Sequence, residues 1–240
     1  MKLLFSVLAV VSIGFHPLFA QEDSGEAAKK ASAGRIAWFV AASIPENLEN
    51  PVKVMTEGKI TEMFLSTRQS SDPVKIPADN VISLVKEIEG PKDPSKPPYH
   101  ILAKAAIPEQ FQKVLIILVP TGKAPGEGLA FHTKVQDLSG FKGGDYYFLN
   151  LTKANVAVKM GPENLTLKPG ETSISKASAL TESVNTPISY HFFHPVKQQW
   201  LLISASTVVR MPSRREICVF TWDEQFQRIS YKGITFPVTQ

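Results

Sequence analysis

Val114 to Val119 reads Val-Leu-Ile-Ile-Leu-Val, an apolar run with no polar position in it. Successive residues of a strand face opposite ways, so a strand without a polar side must be covered on both faces. A chain containing such a strand has to supply two covering layers. The rest of the sequence offers short apolar runs punctuated by Pro, Gly and Asn, and 18 prolines leave little room for long helices. Candidate strands recur along the chain: Arg35 to Ala41, Val52 to Met55, Ile60 to Ser66, Tyr99 to Ala106, Ala130 to Val135 and Tyr146 to Thr152. They continue through Val156 to Met160, Leu165 to Lys168, Thr172 to Ser175, Ser189 to His194, Trp200 to Val209, Glu216 to Trp222 and Arg228 to Phe236. Strands at this spacing, joined by turn residues, predict an all-β chain built as an antiparallel β-sandwich with little helix. Val81 to Ile88 also fits a helix, with apolar residues at Val81, Leu84, Val85 and Ile88 between Asp79 and Gly90-Pro91. Its short length, β-branched content and surroundings favour a strand.

The first twenty residues combine Lys2, an apolar run from Leu3 to Phe15, the break His16-Pro17 and the small residue Ala20. This is the form of a secretory signal peptide, 1–20, cleaved after Ala20. An uncleaved anchor is the competing reading, and the His16-Pro17 break and the polar stretch after Ala20 argue against it. No cysteine follows the cut to carry a lipid. The expected location is therefore periplasmic or secreted, with no stable membrane insertion after cleavage. Residues 21–34 lack aromatic and β-branched residues and read as a flexible leader. The net charge is only +4, without a concentrated basic stretch, which argues against a nucleic-acid partner. Cys218 is the single cysteine and lies in Ile217-Cys218-Val219-Phe220, so it reads as a small buried hydrophobe.

The strands divide into a first β half, 35–120, and a second, 121–240, joined through 120 to 129. Val52-Lys53-Val54-Met55 resembles Val156-Ala157-Val158-Lys159-Met160, and the closing methionines are 105 residues apart. Ile107-Pro108 ahead of Val114 to Val119 resembles Met211-Pro212 ahead of Ile217 to Phe220, with the prolines 104 apart. A duplicated half and chance likeness between short strands both account for these matches.

Chemistry is argued against more readily than for. His191 and His194 stand at i and i+3, on opposite faces of a strand, so they cannot chelate one metal together. No metal site and no cofactor is expected. No G-x-S-x-G elbow occurs, and Ser173-Ile174-Ser175-Lys176 matches S-x-x-K in a strand-like stretch without partner motifs. Gly140-Phe141-Lys142-Gly143-Gly144 has the glycines of a turn and no strand-to-helix context for a phosphate loop. Asn150-Leu151-Thr152 and Asn164-Leu165-Thr166 are N-x-T sequons, read here as strand chemistry.

Two site readings survive. On Glu216 to Trp222, alternation puts Glu216, Cys218, Phe220 and Trp222 on one face and Ile217, Val219 and Thr221 on the other. If this strand lies near a sheet edge, Trp222 stands at the rim. Its indole could then stack on an apolar sugar face while Asp223 and Glu224 accept hydroxyl hydrogen bonds. The second reading is a hydrolase that pairs two of the carboxylates Asp145, Asp223 and Glu224.

Gly144-Asp145-Tyr146-Tyr147-Phe148-Leu149-Asn150-Leu151-Thr152, Val156-Ala157-Val158, Leu167-Lys168-Pro169-Gly170, Trp200 with Ser204, and Pro212 with Arg215 ahead of Ile217 to Phe220 are strand-and-turn signatures. In these the chain resembles a group of exported all-β proteins of environmental Gram-negative bacteria. The resemblance implies a β-sandwich in the cell envelope and no particular activity. The leading expectation is thus a non-enzymatic envelope protein, a structural or protein-interaction β module whose partner is an envelope protein or glycan. A glycan- or peptide-binding module at Trp222 is the alternative, and the carboxylate hydrolase the second.

Overall fold

The computed structural model describes residues 34–88, 98–124, 127–177, 180–223, 226 and 228–238. The signal-peptide reading, the leader up to residue 33 and Glu224 lie outside these residues. Among the described residues there are strands and turns and no helix.

The strands form four sheets of four. A first inner sheet contains β1 (Ile36–Ala41), β4 (Val74–Lys75), β7 (Lys113–Pro120) and β8 (Phe131–Asp137), in the order β4-β1-β7-β8. A first outer sheet contains β2 (Val52–Thr56), β3 (Lys59–Met63), β5 (Val81–Glu87) and β6 (Tyr99–Ala106), in the order β3-β2-β5-β6. Val81 to Glu87 is therefore a strand, as its β-branched residues predict.

The second half repeats the plan. Its inner sheet contains β9 (Tyr146–Asn150), β12 (Thr172–Ser175), β15 (Arg214–Asp223) and β16 (Arg228–Pro237), in the order β12-β9-β15-β16. Its outer sheet contains β10 (Val156–Met160), β11 (Glu163–Leu167), β13 (Val184–His194) and β14 (Gln199–Arg210), in the order β11-β10-β13-β14. Adding eight to each strand of the first half gives the second. All pairing is antiparallel except β1 with β7 and β9 with β15, the same parallel pair in each half.

The repeat extends to an irregularity. The ladder β5–β6 shifts register after Leu84, leaving Leu102 unpaired, and β13–β14 shifts after Tyr190, leaving Ile203 unpaired. A bulge at the same place in two ladders is a feature of the fold rather than a local accident. Of the two readings of the sequence likeness, the shared topology and the shared bulge favour the duplicated half. Pairing of β8 with β7 carries the first half through Asp137, so the seam falls in 138–145, later than the 120–129 stretch expected from the sequence.

Three apolar layers hold the stack. Ala37, Phe39 and Ala41 of β1 and Val114, Ile116 and Leu118 of β7 pack on the first outer sheet. Trp38, Val40, Leu115 and Ile117 face the other way, onto Tyr147, Leu149, Ile217 and Val219 of the second inner sheet. Phe148, Cys218 and Phe220 then pack on Val156, Val158, Ile188 and Tyr190 of the second outer sheet. The molecule is a four-layer stack in which both inner sheets are covered on both faces. Val114 to Val119 is apolar throughout for this reason.

The seam also holds buried polar groups. The Asp145 carboxylate, 2% exposed, accepts Lys142 N (2.8 Å) and Ala177 N (2.7 Å). Arg210 donates from Nε to Gly144 O (2.7 Å) and from Nη2 to Ser175 O (3.1 Å). Arg215 donates to Phe141 O and lies over the Phe236 ring at 4.5 Å. Burial lowers its guanidinium from 12.5 to about 10, which leaves it charged at neutral pH. Gly143 is obligatory here, because a Cβ would sit 1.7 Å from Pro212 O.

Because the seam is a shared core, the two halves should unfold together. Leu115→Ala, at 0% exposure in that core, should cost about 2–5 kcal/mol. Urea denaturation followed by both far-UV circular dichroism and tryptophan fluorescence checks it: one coincident transition at lower urea is expected, and two separated transitions would contradict a shared core.

Candidate functional site

β15 lies between β9 and β16, one strand in from the sheet edge. The predicted alternation holds: Ile217 and Val219 enter the seam core, Cys218 and Phe220 the outer core. Both faces of the strand are buried at its middle because a sheet lies on either side. Trp222 escapes because it is the penultimate residue, opposite Ile229 of β16, where the strand runs past the end of the sandwich. It is 42% exposed.

Trp222 lines a cavity of about 440 Å³ at the open end of the second sandwich. The other walls are the Leu151–Ala154 link, Phe192, His194 and Pro195 at the end of β13, and Ile229. Phe192 and His194 share a face, with ring centroids 5.9 Å apart. His194 Nδ1 accepts Lys197 N at 3.2 Å, which leaves the proton of the neutral ring on Nε2, free to donate. Lys153 adds a cation at the mouth.

The first half shows what the fold itself requires at this end. Ala42 N bonds Leu118 O as Leu151 N bonds Phe220 O, which aligns Pro120 with Trp222 and, across the ladders, Phe131 with Ile229. The shared bulge aligns Lys86 with Phe192. The first half thus folds with Pro120 and Lys86 where the second places Trp222 and Phe192. Its β1–β2 link, ten residues long, packs Ile44 and Leu48 onto the core, and the cavity beside it measures about 150 Å³. The β9–β10 link has five residues and leaves the end open. The aromatic lining belongs to the second half alone.

The short link is held by Asn150. Its side chain, fully buried, donates to Ala154 O (2.8 Å) and Leu167 O (3.0 Å) and accepts from Thr152 N (3.0 Å) and Thr152 Oγ1 (2.8 Å). The first sequon is therefore a structural clasp that shapes the cavity wall. The second, at Asn164, is exposed on β11.

Asp223 does not line the cavity. Its Oδ1 accepts Phe226 N at 3.1 Å and caps the turn toward β16. Of the three sequence-predicted site residues, Trp222 is in the cavity, Asp223 shapes the turn beside it, and Glu224 lies outside the described residues. The pairing of Asp145 with Asp223 is overturned. Tyr146 pairs with Glu216, so Asp145 and Asp223 stand at opposite ends of β15, about 25 Å apart at strand rise. A two-carboxylate site requires them within about 10 Å. Ser173, the serine of the S-x-x-K match, is half-buried on β12 and pairs with Phe148. Among the described residues no three His, Cys, Asp or Glu cluster as metal ligands.

Sequence reasoning missed Phe192, Lys153 and the Leu151–Ala154 wall. The available signal was Phe192-Phe193-His194-Pro195, read only as a histidine pair. No protein-family model matches this chain, and no curated protein matches it.

Cys218 is buried beside Tyr190 and Phe220, and burial pushes its thiol from 9.0 up to about 12. The folded protein should not react with Ellman's reagent at pH 8, and denaturant should release one thiol. A raised folded value means that the stability linked to this group is present below about pH 9 and is lost as pH rises through 12. Cys218→Ala should accordingly flatten the alkaline loss of urea stability; an equal loss in both proteins would contradict the burial.

Proposed function

We propose that this chain is a non-enzymatic, exported β module of the cell envelope that binds a glycan at the open end of its second sandwich. The observation that carries the reading is the cavity of about 440 Å³ walled by Trp222 and Phe192, at a position where the sister half folds without either aromatic residue. Its size is within the range of small-molecule sites, with mostly apolar walls and a few polar groups. An indole 42% exposed offers a flat face to the apolar side of a sugar, and Lys153 and the His194 ring offer donors to hydroxyl or carboxylate oxygens. These donors replace the acceptor role expected of Asp223. Stacking with a few hydrogen bonds supports affinities of about millimolar to micromolar. The export reading is supported by Lys2, the apolar run and Ala20, and by the likeness to exported β proteins.

Soluble peptidoglycan fragments are the probe of first choice, read by tryptophan fluorescence with Trp222→Ala as the control. Binding to wild type should change the emission, and the variant should lose the change together with at least tenfold in affinity. Its melting temperature should stay within about 2 °C of wild type, since a half-exposed rim residue contributes little to the core. An unchanged response in the variant, or its unfolding, would sink the glycan site.

A further inference from the structure

Edge strands invite pairing with another chain, and proteins guard them with charges, brevity or cover. Among the described residues, seven of the eight sheet edges are guarded. β4 and β12 are very short, and β3, β6, β8, β11 and β16 carry Glu62, Lys104, Lys134, Glu163 and Lys232 respectively. β14 is the exception. It has twelve residues, with no charge from Gln199 through Val209, and its one charged residue, Arg210, is buried in the seam. Trp200 and Leu202 stand 44% and 59% exposed on its outer side, with Trp200 edge-on to Phe193 at 5.6 Å.

The sister half again serves as a control. With Leu102 and Ile203 as the matched bulge residues, Lys104 of β6 corresponds to Ala205 of β14. The first half guards this edge twice, by the Lys104 charge and by Thr133 of β8, whose hydroxyl donates to Lys104 O at 2.9 Å. The second half has the small, exposed, neutral Ala205 there, and Tyr231 of β16, at the place of Thr133, meets the Ser204 hydroxyl at 3.2 Å rather than a β14 backbone carbonyl. The fold accepts a lysine at this position, so its absence from β14 is not a packing requirement.

We infer that β14 pairs edge to edge with β14 of a second copy of this chain, antiparallel about a two-fold axis, joining two outer sheets into one of eight strands. A two-fold contact sets a strand against itself, so any charge near the axis meets its own copy. β14 has none to meet, whereas β6, β8 and β16 would each bring lysines together. Small residues Ser204, Ala205 and Ser206 occupy the middle of the strand, and the exposed Trp200 and Leu202 gain cover near its start.

Sedimentation velocity of the purified protein from about 1 to 100 µM tests this. Wild type should be a dimer at the upper concentrations. Ala205→Lys, which restores the residue of the sister strand, should weaken association at least tenfold with circular dichroism unchanged, and Thr166→Lys on the β11 edge should leave it intact. A monomeric wild type at 100 µM overturns the proposal, as does a dimer indifferent to Ala205→Lys. Should Ala205→Lys fail to fold, Ala205→Cys decides: Cys218 is buried, so oxidation should yield a disulfide-linked dimer through residue 205, and a chain that remains monomeric on non-reducing gels overturns it.

Discussion

The contact of β1 and β7 with β9 and β15 is the one on which the rest of the molecule depends. It buries Trp38, Leu115, Ile117, Tyr147, Ile217 and Val219 between two sheets that are also covered on their other faces. Each large side chain so buried contributes roughly 1.5–3 kcal/mol relative to exposure. Neither inner sheet could face water with that surface, so neither half is complete without the other. The outer sheets follow from the same need, since Phe39, Ile116, Phe148 and Phe220 require cover on the far sides. Four layers are the smallest arrangement that satisfies two sheets apolar on both faces.

The repeated plan supplies both the solution and its control. The order of strands, the single parallel pair and the bulge are common to the two halves, and so belong to the fold. What differs between them is free to serve something else. The seam itself differs, because it must turn the chain from one half into the next. Gly143 passes close under Pro212, and Asp145, Arg210 and Arg215 satisfy backbone groups that the turn leaves without ladder partners. Backbone donors and acceptors, and the rings of Phe141 and Phe236, replace part of the water these charges give up, and the desolvation left over, with Arg215 Nε unpartnered, lowers the Arg215 guanidinium.

The open end and the free edge of the second sandwich have a common origin. In the first half a long link packs into the end of the sandwich, and β8 hydrogen-bonds across to β6 at the edge. In the second half the link is short, tied down by Asn150, and β14 runs on for twelve residues, met from β16 by Tyr231 at the Ser204 hydroxyl. The shorter connection leaves the cavity open, and the longer strand presents the edge. The glycan site and the self-pairing surface proposed above occupy those two places.

Alternation and punctuation in the sequence were enough to determine an all-β chain and the two-sided burial of Val114 to Val119, because strand periodicity and turn chemistry are local properties; the apolar spacing of Val81 to Ile88 suited a helix as well, and its sheet neighbours decided for a strand. The faces of β15 were legible for the same reason, and with them the place of Trp222 on the side of Cys218 and Phe220. Only the tertiary structure decided which strands are neighbours. β1 pairs with β7 across more than seventy residues, and no local pattern encodes that register. The equivalent pairing of β9 with β15 placed β15 one strand in from the edge of its sheet and set Asp145 and Asp223 near its opposite ends. The packing of the two sheets of the second half brought Trp222 of β15 to Phe192 of β13 and to Lys153 of the β9–β10 link. A cavity is what remains after every side chain nearby has packed, so its walls follow from non-local contacts that the order of residues does not display.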